Sequence, residues 1–176
     1  KCLIKLLIND KNEIVSKIDE YIRDLKFDLS VILKEKHLPS QSLDKILSYG
    51  ELLSTTILAE YLSQIGLPSQ QLDSRKVILT DDQFGYAYVH YQDSYNKIRD
   101  YFNNITSTQI ITGFLGATAS GETTTLGRNG SDYTAAIFGA ALNAEIIEIW
   151  TDVDGILSAD PKIITEAEVV HKLTYE

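Results

Sequence analysis

A single cysteine, Cys2, stands in a chain of 176 residues. That excludes an internal disulfide framework and fits a reducing compartment, so a cytoplasmic setting is expected. No apolar run approaches the ~18 residues of a membrane-spanning helix, and no secretion-signal pattern opens the chain. Basic residues are in deficit: 16 Lys and Arg against 25 Asp and Glu leave a net charge of −9. Binding along a nucleic-acid backbone needs basic patches, so that class is set aside. A single nucleotide is not excluded, because helix dipoles and one or two cations can hold it. Methionine is absent, and the chain opens on Lys1 and stops at L-T-Y-E. It reads as an internal piece of a longer polypeptide. His37, His90 and His171 lack metal-ligand spacing and read as surface or packing residues. No Ser/His/Asp or Cys/His nucleophile arrangement is suggested.

What is present is ordinary globular material, 44% hydrophobic and 23% charged, enough for one domain with a core. Residues 1–8 are an apolar run, strand or helix end. Ile14, Ile18, Ile22, Leu25 and Leu29 recur at three- and four-residue steps. They predict an amphipathic helix over 12–36, or two helices with a break near Asp28. Pro39-Ser40 is a breaker, and Ser42 is the expected N-cap of a second helix with Ile46, Leu47, Leu53, Ile57 and Leu58 on its buried face. Strands are then expected at 76–80, 86–91, 108–112 and 145–151. Helices are expected at 94–102, 131–143 and from Glu166. Strands alternating with helices imply a parallel, layered α/β sheet with ligands at the carboxyl ends of strands.

The stretch Gly113–Asp132, G-F-L-G-A-T-A-S-G-E-T-T-T-L-G-R-N-G-S-D, holds five of the ten glycines. It follows an apolar β-type run and leads into a helix of small residues. Strand, Gly-rich loop and helix N-terminus in that order make an anion site. Arg128 offers a planar fork for a carboxylate or phosphate. Asp132 either complements the helix dipole beside a Ser131 cap, or holds a metal or a catalytic lysine near a phosphate. The loop is neither G-x-x-x-x-G-K-[ST] nor G-x-G-x-x-G, and no lysine lies between Lys97 and Lys162. A second signature, W-T-D-V-D-G-I-L-S-A-D-P-K at 150–162, is a nucleotide loop or a surface turn. In a third, S-Y-G-E-L at 48–52, Glu51 faces solvent or a cationic group such as an amine.

The ordered runs T-G-F-L-G…G-E-T-T-T-L-G-R-N-G-S-D-Y-T-A-A and E-I-W-T-D-V-D-G-I-L-S-A-D-P-K, with S-Y-G-E-L-L-S upstream, closely resemble the aspartate kinases of the amino acid kinase family. The resemblance spans roughly Leu43 to Glu176. R-N-G-S-D-Y and W-T-D-V-D-G also look like the forms fused to homoserine dehydrogenase. The implied fold is a three-layer α/β/α sandwich with a mainly parallel central sheet, incomplete at both ends. Residues 1–40 would be a helical insertion, and 41–176 would carry the substrate and nucleotide loops.

The implied activity is phosphorylation of the β-carboxylate of L-aspartate by ATP with Mg2+. The resemblance puts Glu51 on the substrate amino group and Thr125, Arg128 and Ser131 around its carboxylates. Asp132 would orient catalytic lysines. Gly113 and Gly116 would lie beside the phosphates, and Thr151, Asp152, Leu157 and Lys162 in the nucleotide loop. Leu157 and Lys162 stand where the family often has Tyr and Arg. The family's K-F-G-G-T motif is not in this chain, and its G-A-K-V motif would lie beyond Glu176, so residues 1–176 are expected to be inactive alone. The complete protein is expected to form a homo-oligomer with feedback control by lysine or threonine. Acetylglutamate, glutamate 5- and uridylate kinases share the fold and compete as readings, as does a non-catalytic assembly or regulatory segment.

Overall fold

The recurrence of Ile14, Ile18 and Ile22 produces one continuous helix. The structure, a computed structural model, describes residues 12–151 and 155–174. The apolar run at 1–8 and Asp152, a candidate for the nucleotide loop, lie outside the described residues. Helix α1 (Asn12–Glu35) has no break near Asp28. Asp28 sits comfortably within it because its carboxylate accepts hydrogen bonds from Lys45 Nζ and Tyr49 Oη, each at 2.8 Å. Ile14 and Ile18 are buried against Leu53 and Ile57 of the next helix, whereas Leu29 and Leu33 are exposed.

Helix α2 (Ser40–Gln64) starts before Ser42, with Pro39 rather than Ser42 in the cap position. Its buried face also differs from the apolar stripe expected. The buried residues are Asp44, Ser48, Tyr49, Leu52, Thr55, Thr56 and Ala59, while Leu47 and Leu58 are exposed. The reason is that α2 meets polar partners as well as apolar ones, so its inner face is chosen by hydrogen bonding as much as by hydropathy.

Strand β1 (Ser69–Leu72) pairs in parallel with β2 (Thr108–Ile111), from Ser69 opposite Thr108 to Leu72 opposite Ile111. Successive β1 side chains point to opposite faces. Gln71 Nε2 donates to Leu52 O at 2.9 Å and to Thr55 Oγ1 at 2.8 Å on α2. Leu72 joins Ile98, Ile137 and Phe138 in the main core. Those residues come from α3 (Tyr91–Phe102) and α4 (Gly130–Leu142). The result is an α/β fold with helices on both sides of a parallel strand pair, as expected from the alternation in the sequence.

Several strands read from the sequence are shorter or absent. In 76–80 the chain leaves a 3-10 turn at Ser74–Lys76, and only Leu79 and Thr80 pair, with Ala117 and Val89. In 86–91 only Val89 pairs, and Tyr91 already begins α3. β1 itself, S-Q-Q-L, carries too little hydropathy to have been read as a strand. Residues 145–151 form no strand among the described residues. Ile146 and Trp150 are 70% and 88% exposed there, and no described strand pairs with this stretch. From Glu166 the expected helix does not form; Val169 instead bridges Leu157 antiparallel. No described helix is long and apolar enough to cross a membrane.

Candidate active site

The Gly-rich stretch contains an antiparallel hairpin that its sequence did not announce. β3 (Leu115–Ala117) turns through Gly121 into β4 (Thr123–Thr125), with Leu115 opposite Thr125. The hairpin returns the chain beside its own start. Leu126 N–H donates to Phe114 O at 2.9 Å. Phe114 N–H donates to Thr134 Oγ1 at 2.9 Å, and that hydroxyl donates to Gly130 O at 2.8 Å. The entrance of the loop is thus fastened to the first turn of α4.

Gly113 shows why glycine is needed there. A Cβ on it would lie 2.7 Å from Ser131 Oγ and 2.9 Å from Ser131 Cβ, inside van der Waals contact. Glu51, half-buried on α2, reaches the same place. Burial raises its carboxyl above the ordinary Glu value, and a backbone hydrogen bond from Gly113 offsets part of the shift. Glu51, Gly113 and Ser131, from three separate parts of the sequence, therefore converge.

Arg128 and Asp132 are exposed and line an open pocket of about 460 Å³ with Tyr86, Tyr88 and Tyr133. Gly127, at φ +75°, lies under the Tyr86 ring, which an added Cβ would overlap. Ser131 is not the helix cap: the cap position belongs to Asn129 in the left-handed region, without a side-chain cap bond. A larger cavity of about 580 Å³ lies between α1, α2 and β1, but none of the candidate residues lines it.

The remaining candidates are placed differently. Thr125 is buried, and its hydroxyl donates to Asp44 Oδ1 at 2.8 Å. Gly116 is inside β3, where a Cβ would come within 2.7 Å of Thr80 Cγ2. Thr151 is exposed. Leu157 bridges Val169, and Lys162 N–H donates to Asp160 Oδ1 at 2.9 Å in a local turn.

Two residues that sequence reasoning missed shape the site. Asp44 precedes Glu51 by seven positions on the same helix, so the two share a face. Phe114 adopts φ +69° and packs on Gly130. The helical spacing of Asp44 was a usable signal; the Phe114 backbone had none. Among the described residues no cluster of three His, Cys, Asp or Glu could cage a metal. Mg2+ is commonly held by one or two carboxylates together with substrate phosphates, and Asp132 is an exposed carboxylate lining the pocket.

The first turn of α4 lines this pocket through Asp132 and Tyr133, on a scaffold that includes a parallel strand pair. The amino acid kinase family pattern matches residues 8–176, and the chain belongs to that family. It is 38% identical over 176 residues to an aspartokinase of Chlamydia muridarum, covering 97% of this chain and 40% of that protein. It is 34% identical to a chloroplastic bifunctional aspartokinase/homoserine dehydrogenase of Zea mays, covering 95% of this chain and 18% of that protein. Its fold is similar to E. coli aspartokinase III in complex with aspartate and ADP, with a TM-score of 0.85 and 32% identity over 93% of this chain and 36% of that one. The chain thus spans less than half the length of these relatives.

Proposed function

We propose that this chain is the aspartate-recognising part of an aspartate kinase, which transfers the γ-phosphoryl group of ATP to the β-carboxylate of L-aspartate. The observation that carries this reading is the convergence of Glu51, Gly113 and Ser131 at the start of α4, with Arg128 three residues before Ser131 in the sequence. A half-buried carboxylate is a suitable counter-ion for an ammonium group, and a guanidinium fork is suited to a carboxylate. Together they describe an acidic acceptor with a free amine. An N-acetylated acceptor has no cation for Glu51, which disfavours the acetylglutamate alternative.

Phosphoryl transfer to a carboxylate asks the protein mainly for positioning and charge neutralisation. Glu51 and Arg128 would fix the two ends of the acceptor, and Ser131 would orient a carboxylate at the first turn of α4. Asp132 would orient cationic side chains toward the transferring group and hold Mg2+ with the nucleotide phosphates. Mg2+ supplies charge neutralisation when bound. Thr151, Asp152, Leu157 and Lys162 would serve the nucleotide. Acceptor and phosphate are both anions, and Arg128 is the cation lining the pocket, so residues 1–176 alone are expected to be inactive. The similarity to E. coli aspartokinase III supports this reading.

The complete polypeptide is further proposed to be a cytoplasmic, homo-oligomeric enzyme of lysine, threonine and methionine synthesis under feedback control. The test is a coupled assay of ADP formation by the complete polypeptide with aspartate, glutamate or N-acetylglutamate. Aspartate-dependent ADP is the expected result. A preference for either other acceptor overturns the assignment, and turnover by residues 1–176 alone overturns the expected inactivity.

A further inference from the structure

We propose that Asp44 is a positioning residue for the acceptor site, acting through the two walls of the Arg128 pocket. This rests on the reading of that pocket given above. Asp44 is fully buried, and among the described residues no cationic side chain pairs with it. Backbone and hydroxyl donors hold it instead. Its Oδ2 accepts from Gly85 N–H at 2.8 Å and Thr125 N–H at 2.9 Å, and its Oδ1 accepts from Thr125 Oγ1 at 2.8 Å.

Those contacts reach both walls. Gly85 is followed by Tyr86, whose ring lies on Gly127, and Thr125 leads through Leu126 and Gly127 to Arg128. Ala87 N–H donates to Thr125 O at 2.9 Å, closing the connection between the walls. A carboxylate is suited to this point because one oxygen can accept from two backbone donors while the other takes the hydroxyl. Without it, the donors that hold Tyr86 and Arg128 in register lose their common acceptor, although Asp44 itself lines no part of the pocket. Glu51 occupies the same face of α2 and serves the Gly113 end of the loop, so one helix holds both ends.

The test uses the complete polypeptide, first with its wild-type sequence, then as Asp44→Ala and Asp44→Asn. Unfolding midpoint, kcat, and KM for aspartate and for ATP are measured for each. Asp44→Ala is expected to raise the aspartate KM by about tenfold or more, since small misplacements of binding groups are costly. The ATP KM should stay within about twofold. Asn keeps an acceptor for the backbone donors and an NH2 for the Thr125 hydroxyl. It is expected to raise the aspartate KM by about two- to fivefold, between wild type and Ala. A merely structural role would lower the active fraction, reducing kcat with both KM values unchanged, and would overturn the inference. So would aspartate and ATP KM values that rise together. If Asp44→Ala does not fold, Asp44→Asn carries the same test, and an unchanged aspartate KM in it overturns the inference. Wild-type protein without aspartate-dependent turnover would instead overturn the functional reading beneath it.

Discussion

Gly113 and Ser131 share one space: the position a Gly113 side chain would fill is held by the Ser131 side chain, 2.7 Å away at its oxygen. The loop entrance and the start of α4 are thereby in direct contact, and neither can be enlarged without moving the other. Gly113→Ala is expected to destabilise the fold by about 1–3 kcal/mol through overpacking and to raise the aspartate KM. Thermal unfolding and steady-state kinetics of the complete polypeptide check both effects.

Arg128 is exposed at the pocket rim, so its loss should spare the fold. Arg128→Ala is expected to lower kcat/KM for aspartate by about 10²-fold or more if a bidentate contact is lost, with an unchanged unfolding midpoint. Arg128→Lys should recover little of this, because an ammonium lacks the planar fork. Wild-type kinetics in either variant would end the assignment of Arg128 to the acceptor.

Glu51 has a pH signature. Burial raises its carboxyl above the ordinary value of 4.5. A group with a raised folded pKa stabilises the fold in its protonated form. That contribution is present below the ordinary value and is lost as pH rises through the raised one. Glu51→Gln is therefore expected to raise the unfolding midpoint at pH 7, with the gain vanishing below pH 4.5. The same substitution should abolish aspartate binding, as a half-buried ion serving a ligand rather than the fold would require. Melting curves at several pH values, with and without aspartate, check this.

Ile98 is fully buried between α3 and the main core. Ile98→Ala is expected to cost about 2–5 kcal/mol, lowering the unfolding midpoint while leaving the aspartate KM of the folded fraction unchanged. Leu126 and Tyr133 belong both to this core and to the pocket lining, so an accompanying rise in that KM would mean that the cavity left at Ile98 is transmitted to the pocket through them.

The helices were legible because their signals are long: α1 repeats its isoleucines over several turns, and the small residues of α4 follow directly from the Gly-rich run. Glu51, Gly113 and Ser131 were legible as separate candidates, and their convergence needed tertiary structure. The β3–β4 hairpin was not legible, since strands of three residues are too short to show a period. Residues 145–151 show the opposite error. Their alternation is clear, but strand pairing depends on a neighbour that the pattern does not encode. Asp44 was passed over because an aspartate near a helix start ordinarily faces water; only its three donors reveal its burial.

Between Asp44 and Glu51 lie two turns of α2, a rise of about 10 Å set by the helical pitch. The helix therefore acts as a ruler for the loop, with one mark at Thr125 and the other at Gly113. A ruler of this kind is indifferent to the loop's own sequence but intolerant of changes in count. One residue inserted between the marks would turn them apart by about 100°, and only one end of the loop could remain attached. Length between these two carboxylates is thus a tighter constraint on this chain than the identity of most residues that lie between them.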